Sequence, residues 1–118
     1  MRLRGAMIYV KDLPRMMAFY RDTLGLKLID ETQSASYVEF DAGSANFALH
    51  AIPDHLAGQI EILSPSRPRE NNPVKLTFAV EDIASERKRL EALGVTLVER
   101  PWGSCDGIDP EGNIFGLV

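Results

Sequence analysis

The alternation of apolar and polar residues along the chain predicts two similar units. Residues 7–13 are strand-like and end in a polar turn, and residues 76–83 repeat the pattern about 70 positions later. A helical stretch follows in both places and ends at a Leu-Gly pair, at residues 24–25 and 93–94. Repeats of this length are typical of duplicated supersecondary units that bury their faces against one another.

Both predicted helices carry start and stop signals. Asp12 and Asp82 stand where an N-cap carboxylate can accept hydrogen bonds from the first turn, and Pro14 fits that turn in the first unit. Gly25 and Gly94 stand where a left-handed residue ends a helix. The apolar residues recur at a spacing of three to four and are Leu13, Met16, Met17, Tyr20 and Leu24, then Ile83, Leu90 and Leu93.

The remaining apolar runs predict three strands after each helix. They cover residues 27–32, 36–41 and 46–52 in the first unit and 95–100, 103–108 and 114–118 in the second, with one more strand at 59–63. The order is βαβββ, linker, βαβββ. It predicts a single domain over residues 1–118, with module 1 at about 1–63, a Pro-rich linker at 64–73 and module 2 at about 74–118.

Composition narrows the class of protein. The 118 residues suffice for one domain with its own core, and 13 Lys and Arg against 17 Asp and Glu give a net charge of −4. This balance predicts no binding of nucleic acid or of an anionic membrane. The chain has a single cysteine, Cys105, and no apolar run of membrane-spanning length, so we expect a cytoplasmic protein.

The repeat resembles the vicinal oxygen chelate superfamily, which includes glyoxalase I, extradiol dioxygenases, fosfomycin-resistance enzymes and bleomycin-resistance proteins. The segments that carry the resemblance are residues 10–13, 19–22, 24–26, 80–83, 93–95 and 109–113. The resemblance implies an α+β fold in which two tandem βαβββ modules form a curved mixed sheet around a small-molecule cavity. It also implies a homodimer, with the modules paired within one chain or exchanged between two.

Metal-dependent members of that superfamily place His or Glu ligands on the first and last strands of each module. Carried over to this chain, those positions hold Gly5, Ala48, Lys75 and Gly116. Glycine and alanine offer no side-chain donor, and a charged lysine repels a cation. We therefore expect no metal and no other cofactor, and metal-dependent catalysis is disfavoured.

Strand alternation assigns the candidate ligand-binding residues to the face that does not pack on the helices. On that face the expected ligand-binding residues are Tyr9, Tyr37, Glu39, His50 and Lys75, with Trp102 at the cavity mouth. His50 can bond a ligand or act in acid–base chemistry. Lys75 can supply the positive charge that relatives obtain from a metal.

Each candidate has a structural alternative. His50 can be a histidine bonded at the sheet rim, Lys75 can pair with Glu39 or Glu61, and Trp102 can anchor a loop. We interpret Cys105 as a small packing residue, Asp106 and Asp109 as turn residues, His55 as a surface loop residue and Tyr20 as core.

These observations favour a metal-independent small-molecule binding protein of the bleomycin-resistance-like branch, which sequesters a drug or metabolite. The alternative is a lyase, isomerase or dioxygenase of the same superfamily with a remodelled metal site built on His50, Glu39 and Lys75. A third hypothesis is a non-catalytic partner module in which the sheet serves assembly. The sequence does not identify the ligand.

Overall fold

The computed structural model describes all 118 residues and divides into two compact units, Met1–Glu61 and Ile62–Val118. Each unit contains one four-stranded mixed sheet, in which a strand and a helix are followed by three further strands. The predicted tandem βαβββ fold class is confirmed.

Unit 1 has the strand order β1-β4-β3-β2, in which β1 runs parallel to β4 and the other pairs are antiparallel. Its elements are β1 (Gly5–Val10), α1 (Leu13–Ala18), a π-helical turn (Phe19–Thr23), β2 (Lys27–Leu28), a 3-10 turn (Asp30–Thr32), β3 (Tyr37–Asp41), β4 (Asn46–Ala51) and α2 (Asp54–Ala57).

The core of unit 1 lies on one face of this sheet, as the alternation of apolar residues predicts. Val10, Phe40 and Leu49 are fully buried on that face, where Tyr20 packs its ring 4.7 Å from that of Phe47. Asp12 accepts a hydrogen bond from the amide of Arg15 and caps α1, as predicted. The helical segment ends before Gly25, which has a φ of 80°.

Unit 2 has the order β5-β8-β7-β6, with β5 parallel to β8 and the other pairs antiparallel. Its elements are β5 (Leu76–Phe78), α3 (Ile83–Ala92), β6 (Leu97–Glu99), β7 (Cys105–Ile108) and β8 (Ile114–Leu117). Leu90 of α3 is fully buried, and Phe115 and Leu117 of β8 are 1% and 2% exposed.

The capping predicted for α3 is also present. The carboxylate of Asp82 accepts bonds from the amides of Ala84 and Ser85 and from the Ser85 hydroxyl. The backbone and side-chain bonds from Ser85, with that from Ala84, lower the pKa of Asp82. Gly94 follows the helix with a φ of 88°, which favours glycine.

Two predicted strands of unit 1 are wrong in part or in full. The strand expected over 27–32 stops at Leu28 because Thr32 turns back and its amide and hydroxyl both donate to the carbonyl of Ile29. Residues 59–63 form no strand. The amide of Gln59 instead closes a turn on Leu56 after α2, and Lys11 Nζ donates to the Ile60 carbonyl at 2.6 Å. His55 lies in the short helix α2, exposed, rather than in a loop.

The stretch expected to act as a linker packs on the turn between β7 and β8. The Arg69 amide donates to the Gly112 carbonyl, and the side chains of Arg69 and Asn72 donate to Asn113 Oδ1 at 2.7 and 3.2 Å. The Ser66 hydroxyl donates to the Pro110 carbonyl. Residues 66–72 are therefore held by unit 2.

None of the helices has the length and apolar character needed to cross a bilayer.

Candidate functional site

The face of the unit 1 sheet opposite the core carries its polar and aromatic side chains in cross-strand rows. Strand pairing places Tyr9, His50 and Tyr37 in one row across β1, β4 and β3. The next row contains Met7, Ala48 and Glu39, and the third Gly5, Asn46 and Asp41. Four of the six predicted site residues therefore lie in two adjacent rows of one sheet face.

The first row forms an aromatic cluster around His50. The ring centroids of Tyr9 and Tyr37 lie 5.4 and 6.2 Å from that of His50, in tilted and edge-on geometry. Tyr9 is 56% exposed, so the cluster keeps an accessible aromatic surface. Aromatic groups at these distances attract one another and can take a further ring against their open side.

His50 is oriented by its own strand. Its Nδ1 lies 2.8 Å from the carbonyl oxygen of Ala51, which can only accept, so Nδ1 carries the proton in this contact. In the neutral ring this leaves the Nε2 lone pair as an acceptor. This bond agrees with the alternative that His50 is a histidine bonded at the sheet rim. It also fixes the orientation of the ring, whose Nε2 can then accept a bond from a ligand.

The second row contains a buried carboxylate. Glu39 is 8% exposed, and its two oxygens accept hydrogen bonds from Asn46 Nδ2 at 2.5 Å and from the Tyr37 hydroxyl at 3.1 Å. An Arg4 guanidinium nitrogen lies 3.9 Å away. Burial raises the pKa of Tyr37, and its bond to Glu39 raises that pKa further. The phenol therefore stays a hydrogen-bond donor at neutral pH.

In unit 2 the matching sheet face carries a three-membered charge cluster. Lys75 Nζ lies 2.7 Å from Asp106 Oδ1, and Arg100 Nε lies 2.8 Å from Asp106 Oδ2. Burial alone would raise the pKa of Asp106, but the two cations outweigh it and lower that pKa. The partner of Lys75 is therefore Asp106 and not Glu39 or Glu61, the partners proposed from the sequence.

Gly116 lies directly under the side chain of Lys75. A Cβ atom at position 116 would lie 2.9 Å from Thr77 Cγ2, 3.1 Å from Lys75 Cε and 3.5 Å from Asp106 Oδ1. The first two of these distances are shorter than ordinary contacts between carbon atoms. The glycine therefore makes room for the lysine stem and its ion pair.

The metal that the family implies does not fit these residues. A Cβ at position 5 would lie 2.5 Å from the Asn46 carbonyl oxygen, so a ligand side chain there would require backbone movement. In unit 2 the stem of Lys75 occupies the space over Gly116 and carries its ammonium to Asp106. No group of three or more His, Cys, Asp and Glu side chains in the structure is arranged to hold a metal ion.

One residue interpreted from the sequence has a different position in the structure. Asp106 was expected in a turn, but it lies in the middle of β7 and is 7% exposed. It pairs across the sheet with Gly116, so its side chain shares the face of Lys75. Trp102 is 71% exposed in the turn after β6, so it does not anchor a loop in the core, and its place at a cavity mouth stays a prediction.

Sequence reasoning missed the partners of the candidate residues, which are Arg4, Asn46, Arg100 and Asp106. The repeat indicates one of them, Asp106, because it holds the position in unit 2 that Glu39 holds in unit 1. Glu39 pairs with Ala48 of β4, and Asp106 pairs with Gly116 of β8. Strand 103–108 is weakly apolar, so its register, and with it the position of Asp106, did not follow from the pattern.

A separate groove of about 520 Å³ lies on unit 2, between α3 and the strands β6 and β7. Arg87 lines this groove and pairs with Glu91 of the same helix at 2.8 Å and with Glu99 of β6 at 3.2 Å. Cys105 is a buried free thiol at its base, and burial raises the pKa of that thiol. A raised pKa disfavours the reactive thiolate, which agrees with a packing role for Cys105.

Comparison with known proteins agrees with the resemblance. The sequence matches the Glyoxalase/Bleomycin resistance protein/Dioxygenase superfamily over residues 2–115. A search of curated proteins gives no match to the sequence.

Solved structures with the same fold come from several bacteria. A lactoylglutathione lyase from Agrobacterium tumefaciens is 25% identical, with a TM-score of 0.67, and the match covers 98% of this chain and 91% of that one. A putative glyoxalase family protein from Bacillus anthracis is 17% identical, with a TM-score of 0.73 and coverage of 99% and 93%. The fosfomycin resistance protein FosX from Listeria monocytogenes is 21% identical, with a TM-score of 0.69 and coverage of 98% and 89%.

Proposed function

Because the chain belongs to the Glyoxalase/Bleomycin resistance protein/Dioxygenase superfamily, we propose that it binds a small organic molecule without a metal ion. The observation that supports this most directly is the polar face of unit 1. An accessible aromatic row formed by Tyr9, His50 and Tyr37 lies beside the buried carboxylate of Glu39. Sequestration of a drug or metabolite is the role we propose for this binding.

The chemistry of the face indicates how a ligand is held. A planar group stacks against the rings of Tyr9 and His50, and a hydrogen-bond donor on its edge reaches a free lone pair of Glu39. In the row of Glu39, Ala48 has only a methyl side chain, and Met7 is 45% exposed and adds apolar surface. Binding then relies on apolar contact and a few directed polar bonds, as in most small-molecule sites.

The chain offers a matched pair of histidines for testing this proposal. His50 lies in the aromatic row, whereas His55 is exposed in α2. A panel of small planar compounds is screened by changes in the amide NMR signals, and His50→Ala is compared with His55→Ala. We expect binders that shift residues of the aromatic row and weaken by about 3- to 10-fold in His50→Ala. Absence of binders at this face, or equal weakening in both variants, contradicts the proposal.

The second candidate function is catalysis by a lyase, isomerase or dioxygenase with a remodelled site. The observation in its favour is that His50, Tyr37 and Glu39 place an acceptor nitrogen, a phenol and a carboxylate in adjacent rows. Such groups can transfer protons. Elemental analysis of the purified protein separates the hypotheses. Stoichiometric Zn, Ni, Mn or Fe that is lost in His50→Ala favours the enzyme, and a metal-free protein that binds its ligand favours the first proposal.

We also propose a homodimer, as the superfamily resemblance suggests for so short a chain. Sedimentation at micromolar concentration measures the mass directly. A single species of 13.1 kDa would contradict the dimer, and one of twice that mass would support it. Location in the cytoplasm stays a prediction.

A further inference from the structure

The charge cluster of unit 2 carries one more positive than negative charge. Asp106 is the single carboxylate between the ammonium of Lys75 and the guanidinium of Arg100, at 2.7 and 2.8 Å. Its lowered pKa means that it is ionised at neutral pH, so it neutralises one of the two cations. The side chains of Lys75 and Arg100 are each 37% exposed, whereas that of Asp106 is 8% exposed. The excess positive charge therefore faces solvent.

Lys75 and Arg100 each keep N–H groups that do not contact Asp106 and can bind a second acceptor. Arg100 contacts Asp106 through Nε, so its two Nη groups remain outside this contact. Lys75 carries three N–H bonds and directs its charge at one oxygen of Asp106. Because Gly116 has no side chain, the stem of Lys75 lies close to the sheet and holds the ammonium in place.

Apolar residues adjoin the cluster on the same face. Asp106 pairs with Val98 and with Gly116, and two residues further along β7 the half-buried Ile108 pairs with Ile114. Side chains at alternate positions of a strand share a face. The face thus combines a cationic end with an aliphatic patch.

We propose that this face of unit 2 binds a small organic monocarboxylate. The carboxylate lies against Lys75 and Arg100, and its apolar body covers Ile108 and Ile114. One excess positive charge matches a monoanion better than a phosphate dianion. The proposal rests on small-molecule binding as the function of the protein, and it adds a second binding face with a stated class of ligand.

Benzoate serves as the probe, with benzamide as its neutral isostere and benzylammonium as its cationic counterpart. Each is titrated at constant ionic strength while amide NMR signals are followed. We expect saturable shifts at Thr77, Asp106 and Ile114 with benzoate, and at least about tenfold weaker binding of the other two compounds. Lys75→Met should weaken benzoate binding about tenfold, Lys75→Arg should retain it, and Lys88→Met on the surface of α3 should leave it unchanged.

Two results would overturn the inference. One is that benzoate gives no saturable shift in unit 2, and the other is that benzamide binds as tightly as benzoate. The amide spectrum of Lys75→Met shows directly whether that variant is folded, and retained binding in Lys75→Arg shows that binding depends on the charge. His50→Ala separates the two proposals. If benzoate still shifts unit 2 in that variant while the planar binders of unit 1 are weakened, both proposals stand. If benzoate shifts only unit 1, the proposed function stands and this inference fails.

Discussion

Lys75 lies across Gly116, with its Cε 3.1 Å from the point that a Cβ of residue 116 would occupy, and its ammonium reaches Asp106 beyond. The two positions are therefore coupled, because a side chain at position 116 of β8 would press on the stem of Lys75, the residue that precedes β5. In metal-dependent relatives the resemblance places ligands at both positions. The resemblance therefore implies that a cation held over a glycine stands here in place of a pair of metal ligands.

This coupling predicts the effect of Gly116→Ala. The added methyl group meets Thr77 and Lys75 at sub-contact distances, so we expect a loss of about 1–3 kcal/mol in the free energy of unfolding. Urea denaturation of the single variant, of Lys75→Ala and of the double variant measures it. Because Lys75→Ala removes one of the two neighbours, the glycine substitution should cost less in that background. Equal costs in both backgrounds would show that the lysine does not depend on Gly116.

The lowered pKa of Asp106 predicts a pH-dependent contribution to stability. Unfolding returns the carboxyl to its ordinary value of 3.8, above its value in the folded protein. The contribution is therefore present above pH 3.8 and is lost as pH falls through the lower pKa. Asp106→Asn should lower the free energy of unfolding by about 1–2 kcal/mol at neutral pH. In this variant the free energy of unfolding should also depend less on pH in the acid range. The exposed Asp30→Asn is the control, and an acid limb unchanged in Asp106→Asn would refute the assignment.

The sequence predicted those parts of the fold that depend on periodic burial and on capping. Val10 and Phe40 are buried next to polar residues, and Asp12 and Asp82 are followed by helices, so both βαβββ units could be derived. The prediction of a strand over residues 30–32 was wrong. The polar side chains there have no buried partners in a sheet, and the local bonds from Thr32 to the Ile29 carbonyl form a turn instead.

Placement of the candidate residues on one face was also predictable, but their partners were not. Tyr9, Tyr37, Glu39 and His50 follow from alternation alone. That Lys75 pairs with Asp106 depends on the register of β7 against β8, across a turn whose length the pattern does not fix. Which of the residues contact a ligand stays a prediction.

The contact between Tyr37 and Glu39 predicts that a substitution of Glu39 changes the pKa of Tyr37. Burial and the Glu39 carboxylate raise the pKa of the Tyr37 phenol above 10.0, so the unfolded chain ionises first as pH rises. The stability from this contact is present below pH 10 and is lost as pH rises through the raised pKa. Tyrosinate absorbance of the folded protein, with Tyr37→Phe to identify the signal, should show a lower Tyr37 pKa in Glu39→Gln. No change would mean that burial alone sets the pKa.

Among these variants, we expect the largest loss of stability from a substitution in the turn between β7 and β8. Asp109 is 1% exposed and accepts bonds from the amides of Glu111 and Asn113 and from the Asn113 side chain, at 2.8 to 2.9 Å. Asp109→Ala leaves these donors buried without an acceptor, which should cost about 3 kcal/mol or more in urea denaturation. The matched control is Asp41→Ala, because Asp41 accepts one such bond from Gly43 but is exposed, and its loss should cost less than about 1 kcal/mol.

The same substitution should release the segment that packs on this turn. Asn113 is held by Asp109 and in turn accepts bonds from Arg69 and Asn72. When Asp109 is removed, Asn113 is free to rotate, and the segment loses its anchor. We therefore expect faster hydrogen exchange at the amides of Arg69 and Asn72 in Asp109→Ala but not in Asp41→Ala, under conditions where both variants remain folded. Unchanged exchange at these two amides would mean that the backbone bond from Arg69 to Gly112 holds the segment without the help of the side chains.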